Sequence, residues 1–360
     1  MRNNNQFFLI FATLFLAFAY GCKQKAEVKN DVIDSASFKL IAPSVVTEKV
    51  KHDSDDPAIW INQNNPEDVL IVGTDKGGDT GDGGLYLFNL KGKKIDSIRP
   101  LKRPNNVDIA YNLKLNGKLY DIAVCTERNV KSIRVFSLPN LQPLDGGGLQ
   151  VFEGEADSLR DPMGIALYTE PVSKNIYAIV GRKTGPKDGT YLWQYLLEDN
   201  GKGQVKATLK RKFGFYSGLK EIESIAVDNE LGFIYHSDEM YGIHKSYAHP
   251  DSSNVELALF GQTGFTEDIE GISIYKTSGT TGFLLVSDQQ ASKFRIFKRE
   301  GEKANSHQHS EITFRTLQIV ESDGSDVTHH STKKFPKGFF VAMTDDGTFQ
   351  IYDWRDLKID

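Results

Sequence analysis

The residues best suited to chemistry recur about every 50 positions. They read Thr74-Asp75-Lys76, Thr126-Glu127-Arg128, Gly181-Arg182-Lys183, Ser237-Asp238-Glu239, Ser287-Asp288-Gln289 and Thr344-Asp345-Asp346. The first three groups end in a cation. The last three end in an acid or an amide. A row of cations suits a polyanion, because ammonium and guanidinium groups give charge-assisted hydrogen bonds to phosphate oxygens. Carboxylate and amide oxygens suit calcium, which takes roughly six to eight oxygen ligands. A second set of acids recurs in another register: Asp55, Asp56, Glu223, Asp268, Glu270 and Asp326. Any one of them alone reads as a turn or capping residue. Together they form a density of carboxylates that repel one another unless a cation neutralises them.

Elements at the same interval must position these residues. Each chemical triplet ends an apolar segment, at 69–74, 120–126, 176–181, 232–237, 282–287 and 338–344. Before it comes an acid-flanked segment, at 55–60, 105–109, 161–166, 221–226, 268–273 and 323–327. After it comes an alternating segment, at 85–88, 133–136, 191–195, 243–247, 294–297 and 349–352. Glycine- and aspartate-rich connections supply turns. No stretch holds a helical period. A repeat of this length with about four strands per unit predicts an all-β, six-bladed β-propeller with four-stranded antiparallel blades. A β-sandwich or two stacked β domains is the other architecture open to such strands. Fourth strands for five units lie at 94–98, 149–152, 204–209, 255–260 and 312–320, but the sixth unit runs out of chain. The orphan segment 44–50 can complete it and remove the exposed edges. In a closed ring, equivalent positions share one rim, so the scattered triplets become one site.

The rest of the chain bounds the setting. Of 360 residues, 39% are hydrophobic and 25% charged, an ordinary globular balance. A net charge of −5 provides no general basic field for nucleic acid. Arg2 precedes the apolar run 7–18 and then Ala19-Tyr20-Gly21-Cys22. That run is short for a bilayer span and reads as a signal peptide over residues 1–21. Small residues before a cysteine resemble a bacterial lipoprotein cleavage site, although Tyr20 stands where a smaller residue is usual. Cys22 is then the acylated residue. Export with a lipid anchor in a bacterial membrane and simple secretion are both open. Residues 22–43 read as a polar tether and 44–360 as the propeller. Cys125 sits in an apolar strand and reads as a core residue, so no disulfide framework is expected. His307, His309, His329 and His330 lie in polar sequence and read as solvated loop residues, not metal ligands.

Four blocks then become specific. They are Asp53-Ser54-Asp55-Asp56-Pro57-Ala58-Ile59-Trp60, Asn105-Asn106-Val107-Asp108-Ile109, Asp268-Ile269-Glu270-Gly271 and Asp323-Gly324-Ser325-Asp326. In order and spacing, from about Ser44 to the C-terminus, the chain resembles the β-propeller phytases. The resemblance implies a calcium-dependent phosphoric monoester hydrolase acting on phytate, myo-inositol hexakisphosphate. It implies a calcium cluster at a cleavage subsite, beside a second subsite that holds phosphate. It implies Asp55, Glu223, Glu239, Asp268, Glu270, Gln289 and Asp326 as calcium ligands, with Tyr168 beside them and Asp56 at a structural calcium. Lys76, Arg128 and Lys183 would grip phosphate, and with Tyr168 and Glu223 they make the implied catalytic set. Calcium would neutralise phosphate oxygens and activate the water that attacks phosphorus in line, with no protein nucleophile.

Two departures from the family pattern stand out. Lys76 is followed by Gly77 and an insertion, 78–84, where two lysines are frequent. Ser224 follows Glu223, where glycine is frequent. Two rival functions remain at this stage. One is a different calcium propeller hydrolase, such as a lactonase or arylesterase, which has axial acids but lacks the cationic half-rim. The other is a non-catalytic propeller that presents a binding surface. The expected partner is a phosphorylated small molecule, not nucleic acid. A membrane is met only through a lipid anchor, and the protein is expected to be a monomer.

Overall fold

Short runs of branched and aromatic residues between turns form six separate sheets in a computed structural model, which describes residues 39–79 and 81–359. The apolar run 7–18, Cys22 and most of the tether lie outside the described residues. Blade 1 consists of Ser54–Ile61, Val69–Asp75, Gly83–Asn89 and Lys94–Leu101. Blade 2 is Pro104–Leu115, Lys118–Glu127, Ser132–Leu138 and Leu149–Gln150. Blade 3 is Pro162–Thr169, Ile176–Arg182, Leu192–Asp199 and Val205–Phe213, and blade 4 is Ile225–Asp228, Phe233–Asp238, Gly242–Tyr247 and Ala258–Phe260. Blade 5 is Ile269–Lys276, Gly282–Asp288, Lys293–Lys298 and Glu311–Leu317. Blade 6 is Ser325–Thr328, Phe339–Thr344 and Thr348–Asp353. Within each blade, consecutive strands pair antiparallel. The molecule is a six-bladed β-propeller.

The first strand of each blade packs against the first strand of both neighbouring blades, and the sixth returns to the first. These strands therefore surround the axis. Four of the second strands, Val69–Asp75, Ile176–Arg182, Gly282–Asp288 and Phe339–Thr344, are buried along their whole length, because other blades cover both faces. That burial is why they read as continuous apolar runs instead of alternating ones. Six hydrophobic clusters fill the ring, one between each pair of adjacent blades. Cys125 is buried in the cluster between blades 1 and 2.

Closure follows the expected route. Val45 pairs with Ile351 and Val46 with Gln350, antiparallel. The Ser44 and Thr47 amides donate to Ile351 and Phe349 carbonyls at 2.8 and 3.0 Å, and Val50 donates to Gly347 at 2.9 Å. The staple begins earlier than residue 44, however. Leu40–Ile41 adds to blade 5, parallel to Glu311–Leu317, and Ile41 is buried beside Leu317 and Trp354. The end of the expected tether is thus part of the ring. At the seam between blades 1 and 6 only glycine fits at position 73, because a Cβ there would meet the Phe349 ring at 2.2 Å.

One reading is corrected. His309 is buried, not solvated: it packs against Tyr235 and Phe260, and its Nδ1 lies 2.9 Å from the Lys298 carbonyl oxygen. The segment carrying it folds back over blade 4, and the Lys245 Nζ is 3.1 Å from its Nε2. Burial and the Lys245 charge push the imidazole down to about 4.

The seam gives a direct test. Gly73→Ala should cost about 1–3 kcal/mol through overpacking against Phe349. In a double-mutant cycle with Phe349→Leu, chemical denaturation should show a coupling of at least about 1 kcal/mol. Additive losses would mean that the two residues do not meet.

Candidate active site

The second strands all end at one rim, and the first strands begin there. At that rim four first strands carry the same irregularity: the register shifts between Ser54 and Pro57, Pro104 and Val107, Pro162 and Ile165, and Ile269 and Ile272. A bulge re-aims consecutive side chains that a regular strand would send to opposite faces. In blade 1 it separates the paired acids. Asp55 faces the rim, where its Oδ2 accepts from Asn105 Nδ2 at 3.0 Å. Asp56 faces the axis, where its Oδ2 accepts from the Val107 amide at 3.0 Å.

Lys76, one residue past the second strand, reaches into the rim acids. Its Nζ lies 3.1 Å from Asp55 Oδ1 and 2.8 Å from Asp323 Oδ2. Burial alone would lower this ammonium, but Asp55, Asp323 and Glu223 outweigh it and hold the group well above the usual lysine range. Lys76 is a fixed positive charge.

Beyond it the acids crowd together. Glu221, Glu223 and Glu239 each offer a carboxylate oxygen, all within 4.8 Å of one another. Glu223, Glu239 and Glu270 are buried, and Glu223 Oε1, Glu239 Oε1 and Glu270 Oε2 have no hydrogen-bond partner. Lys220 Nζ spans Glu239 Oε2 at 2.8 Å and Asp268 Oδ2 at 2.7 Å. Gln289 donates to Asp323, and Gln290 Nε2 donates to Asp268 Oδ2 at 2.7 Å. Burial first, then the neighbouring carboxylates, raises Glu223 and Glu270 well above the ordinary range. Burial pushes Glu239 up to about 7 and Asp323 to about 6, although Lys220 and Lys76 respectively pull against it.

Two further cations flank this group. Lys183 Nζ pairs with Glu221 Oε2 at 2.7 Å. Arg128 opens a short turn after the second strand of blade 2, and its guanidinium touches the Met163 sulfur. Its buried Nε has no partner, and burial lowers the group while Glu223 and Asp55 raise it, so it faces the same acids. The inserted loop is tied back by Asp82, which pairs with Lys51, His52 and Arg99 at 2.5, 2.8 and 2.9 Å.

Below the rim runs a channel of about 210 Å³ lined by the first strands. Here each carboxylate joins one blade to the next. Asp326 Oδ2 accepts from the Ile59 amide at 2.8 Å, and Asp108 Oδ2 from the Leu167 amide at 2.6 Å. Ser224 Oγ does the same for Ile272 at 2.7 Å. The serine after Glu223 is thus a blade-to-blade joint. Burial pushes Asp326 up to about 7 and Asp108 to about 6.

Of the predicted residues, the structure gathers Asp55, Lys76, Glu223, Glu239, Asp268, Glu270 and Gln289 at the rim, with Arg128 and Lys183 alongside. It places three elsewhere, Asp56, Asp326 and Tyr168, of which the sequence sets only Asp56 apart from the main cluster. Asp326 lies in the channel near Asp56 and Asp108, and Asp323 takes the rim position expected of it. The chain between them enters a strand at Ser325, and Gly324 passes so close that a Cβ would stand 2.2 Å from Asp56 Oδ1. Tyr168 lies toward the far end of the first strand of blade 3. It is buried against Tyr177, with ring centroids 6.1 Å apart, and does not reach the acids. Sequence reasoning missed Glu221, Asp323, Lys220 and Gln290. Glu221 carried a signal, since Glu221-Ile222-Glu223 repeats the spacing of Asp268-Ile269-Glu270 one blade on. Lys220 carried none.

With this geometry in place, comparison with known proteins is specific. A family model described as Phytase matches residues 10–352. The 3-phytase of Bacillus subtilis (strain 168) is 30% identical over 331 residues, covering 84% of this chain and 80% of that protein. Among solved structures, a WD40 β-propeller domain matches with a TM-score of 0.48 at 11% identity, covering 86% of this chain and 95% of its own. A Kluyvelomyces marxianus protein matches at 0.41 and 9% identity, covering 85% of this chain and 74% of its own.

Raised carboxyl groups set the pH dependence of the metal-free protein. An acid whose pKa is higher folded than unfolded binds more protons in the native state between those two values, so stability falls as pH rises through that window. For Glu239 the window runs from about 4.5 to about 7. With chelator present, the protein should therefore melt higher at pH 5.5 than at pH 8. Glu239→Gln should flatten that slope by up to about 3 kcal/mol. A slope unchanged by the substitution would show that Glu239 is not a strained carboxylate.

Proposed function

This chain belongs to the phytase family, and from that premise we propose that it hydrolyses phytate with calcium held among the rim acids. It is a phosphoric monoester hydrolase. The observation that carries the calcium reading is the set of buried carboxylate oxygens without partners on Glu223, Glu239 and Glu270. Leaving such oxygens bare in a low-dielectric site is costly, and a cation removes the cost. The donors are oxygens throughout, which suits a hard cation and not a thiophilic or imidazole-seeking one. Asp55, Glu223, Glu239, Asp268 and Glu270 would hold it, with Glu221, Asp323 and the Gln289 amide oxygen in reach. Asp56, Asp108 and Asp326 support a second, structural cation in the channel. Bound at the rim, calcium supplies positive charge to the phosphate oxygens and acidifies water for attack on phosphorus.

The chain's own residues do the rest. Lys76, clamped by Asp55 and Asp323, presents an ammonium that need not reorganise during the reaction. The unpartnered Nε of Arg128 leaves a donor for a phosphate oxygen at the same side. Lys183, on the next blade, holds a neighbouring phosphate, which orients the one to be removed. This division favours a substrate with several phosphates. Water is the proposed nucleophile, attacking in line with the leaving alkoxide; the one described thiol, Cys125, is shut in the core and cannot reach a phosphate at the rim. The lactonase or arylesterase reading accounts for the axial acids but gives Lys76, Arg128 and Lys183 no anion to bind.

Phosphate release from phytate should stop with chelator and return with calcium. Glu270→Gln should fold normally and lose at least about 100-fold in kcat, the scale of removing one preorganised electrostatic contact. Calcium-independent release, or full activity in that variant, would overturn the reading.

The proposal extends to location. Arg2, the apolar run 7–18 and Cys22 support export with a lipid anchor. Cys22→Ser should shift the protein from the membrane fraction to a soluble or unprocessed form. Unchanged membrane attachment would rule out acylation at Cys22.

A further inference from the structure

Lys220 differs in kind from the other rim cations. It lies in the link between Val205–Phe213 and Ile225–Asp228, so it belongs to no strand. Its Nζ contacts Glu239 at 2.8 Å and Asp268 at 2.7 Å, carboxylates from two different blades. Those partners are buried, with side chains 1% and 10% exposed, while the Lys220 side chain is 40% exposed. The ammonium thus covers the acids from the solvent side. Lys76, at 14% exposed, is enclosed with its partners.

The link's backbone is held independently of that ammonium. The Tyr216 hydroxyl donates to the Lys220 carbonyl oxygen, and Ser217 Oγ donates to Asp238 at 2.7 Å. The next residue, Glu221, is paired with Lys183. A lysine stem has four rotatable bonds and a strongly hydrated head, so it can swing from such an anchor into solvent.

We infer that Lys220 is an exchangeable counter-ion built into the site, an inference that rests on the proposed binding of calcium at these acids. Without calcium it neutralises Glu239 and Asp268. A divalent cation bound to the same oxygens repels the ammonium and displaces it. The displaced Nζ then stands at the rim beside Lys183 and takes up a phosphate of the substrate. Lys220 thereby couples cation binding to a gain of positive charge for the polyanion, and is a positioning and specificity residue in the loaded enzyme.

Calcium titration by calorimetry on the full, metal-stripped protein tests this, comparing wild type with Lys220→Met. Removing a competitor should tighten calcium binding by about three- to tenfold, the worth of two partly exposed ion pairs. The metal-free variant should melt lower than wild type, because Glu239 and Asp268 lose their counter-ion. The calcium-bound proteins should melt alike. KM for phytate should rise several-fold with little change in kcat, and KM for a simple monoester should move less. Lys220→Arg should keep the wild-type melting temperature without metal. Lys206→Met, far out on blade 3, should reproduce none of these effects. Equal or weaker calcium binding by Lys220→Met would overturn the inference while leaving the calcium site standing. Wild type that binds no calcium would overturn both.

Discussion

Carboxylates packed together away from water repel one another, and the remainder of this molecule is arranged to withstand that repulsion. Glu223, Glu239 and Glu270 are buried at one end of the propeller axis, with Asp55, Asp268 and Asp323 around them. Burial and like charge raise their affinity for protons, which expresses the strain of keeping them ionised. A flexible scaffold would relieve that strain by moving apart. The propeller cannot, because each acid is fixed to a blade and each blade is wedged by apolar clusters on both sides. The closure by residues 44–50 matters for the same reason, since an open ring would spread.

Two kinds of cation answer the crowding. Lys76 is enclosed and permanent, whereas Lys220 is half-exposed and reaches in from a link. A site built this way leaves both signs of charge incompletely answered, with unpartnered oxygens on Glu223, Glu239 and Glu270 and an unpartnered Nε on Arg128. Its acids demand a cation, and its flanking lysines and arginine demand an anion. In the proposed reading, a phosphorylated substrate and a hard metal ion would satisfy both together, each reducing the cost of binding the other.

The channel beneath uses the same side chains for a structural purpose. Asp326, Asp56 and Asp108 each take an amide hydrogen from the following blade, and Ser224 continues the pattern between blades 4 and 5. Adjacent residues in one short block therefore serve different ends. Asp55 belongs to the rim and Asp56 to the joint, because a bulge at Ser54 to Pro57 turns them apart. The glycines at 73 and 324 permit the approaches this stagger requires.

The amino-acid sequence by itself determined the fold, the blade count and the closing segment, because local apolar periodicity and turn residues report strand positions one repeat at a time. It also determined which rim triplets carry charge, since equivalent repeat positions must share a rim in any closed ring. It could not say which of two nearby acids faces which way. Asp323 and Asp326 are equally acidic in sequence, and only the path of the chain past Gly324 sends the first to the rim and the second into the channel. Tyr168 was assigned to the site by resemblance, yet its distance along the strand from the rim puts it in the core. His309 sits in polar sequence and is nonetheless buried, because a long link folds back onto blade 4. Lys220 could be found only in three dimensions. Its importance comes from reaching acids on blades 4 and 5 at once, and a contact between residues far apart in the chain leaves no periodic trace in either segment.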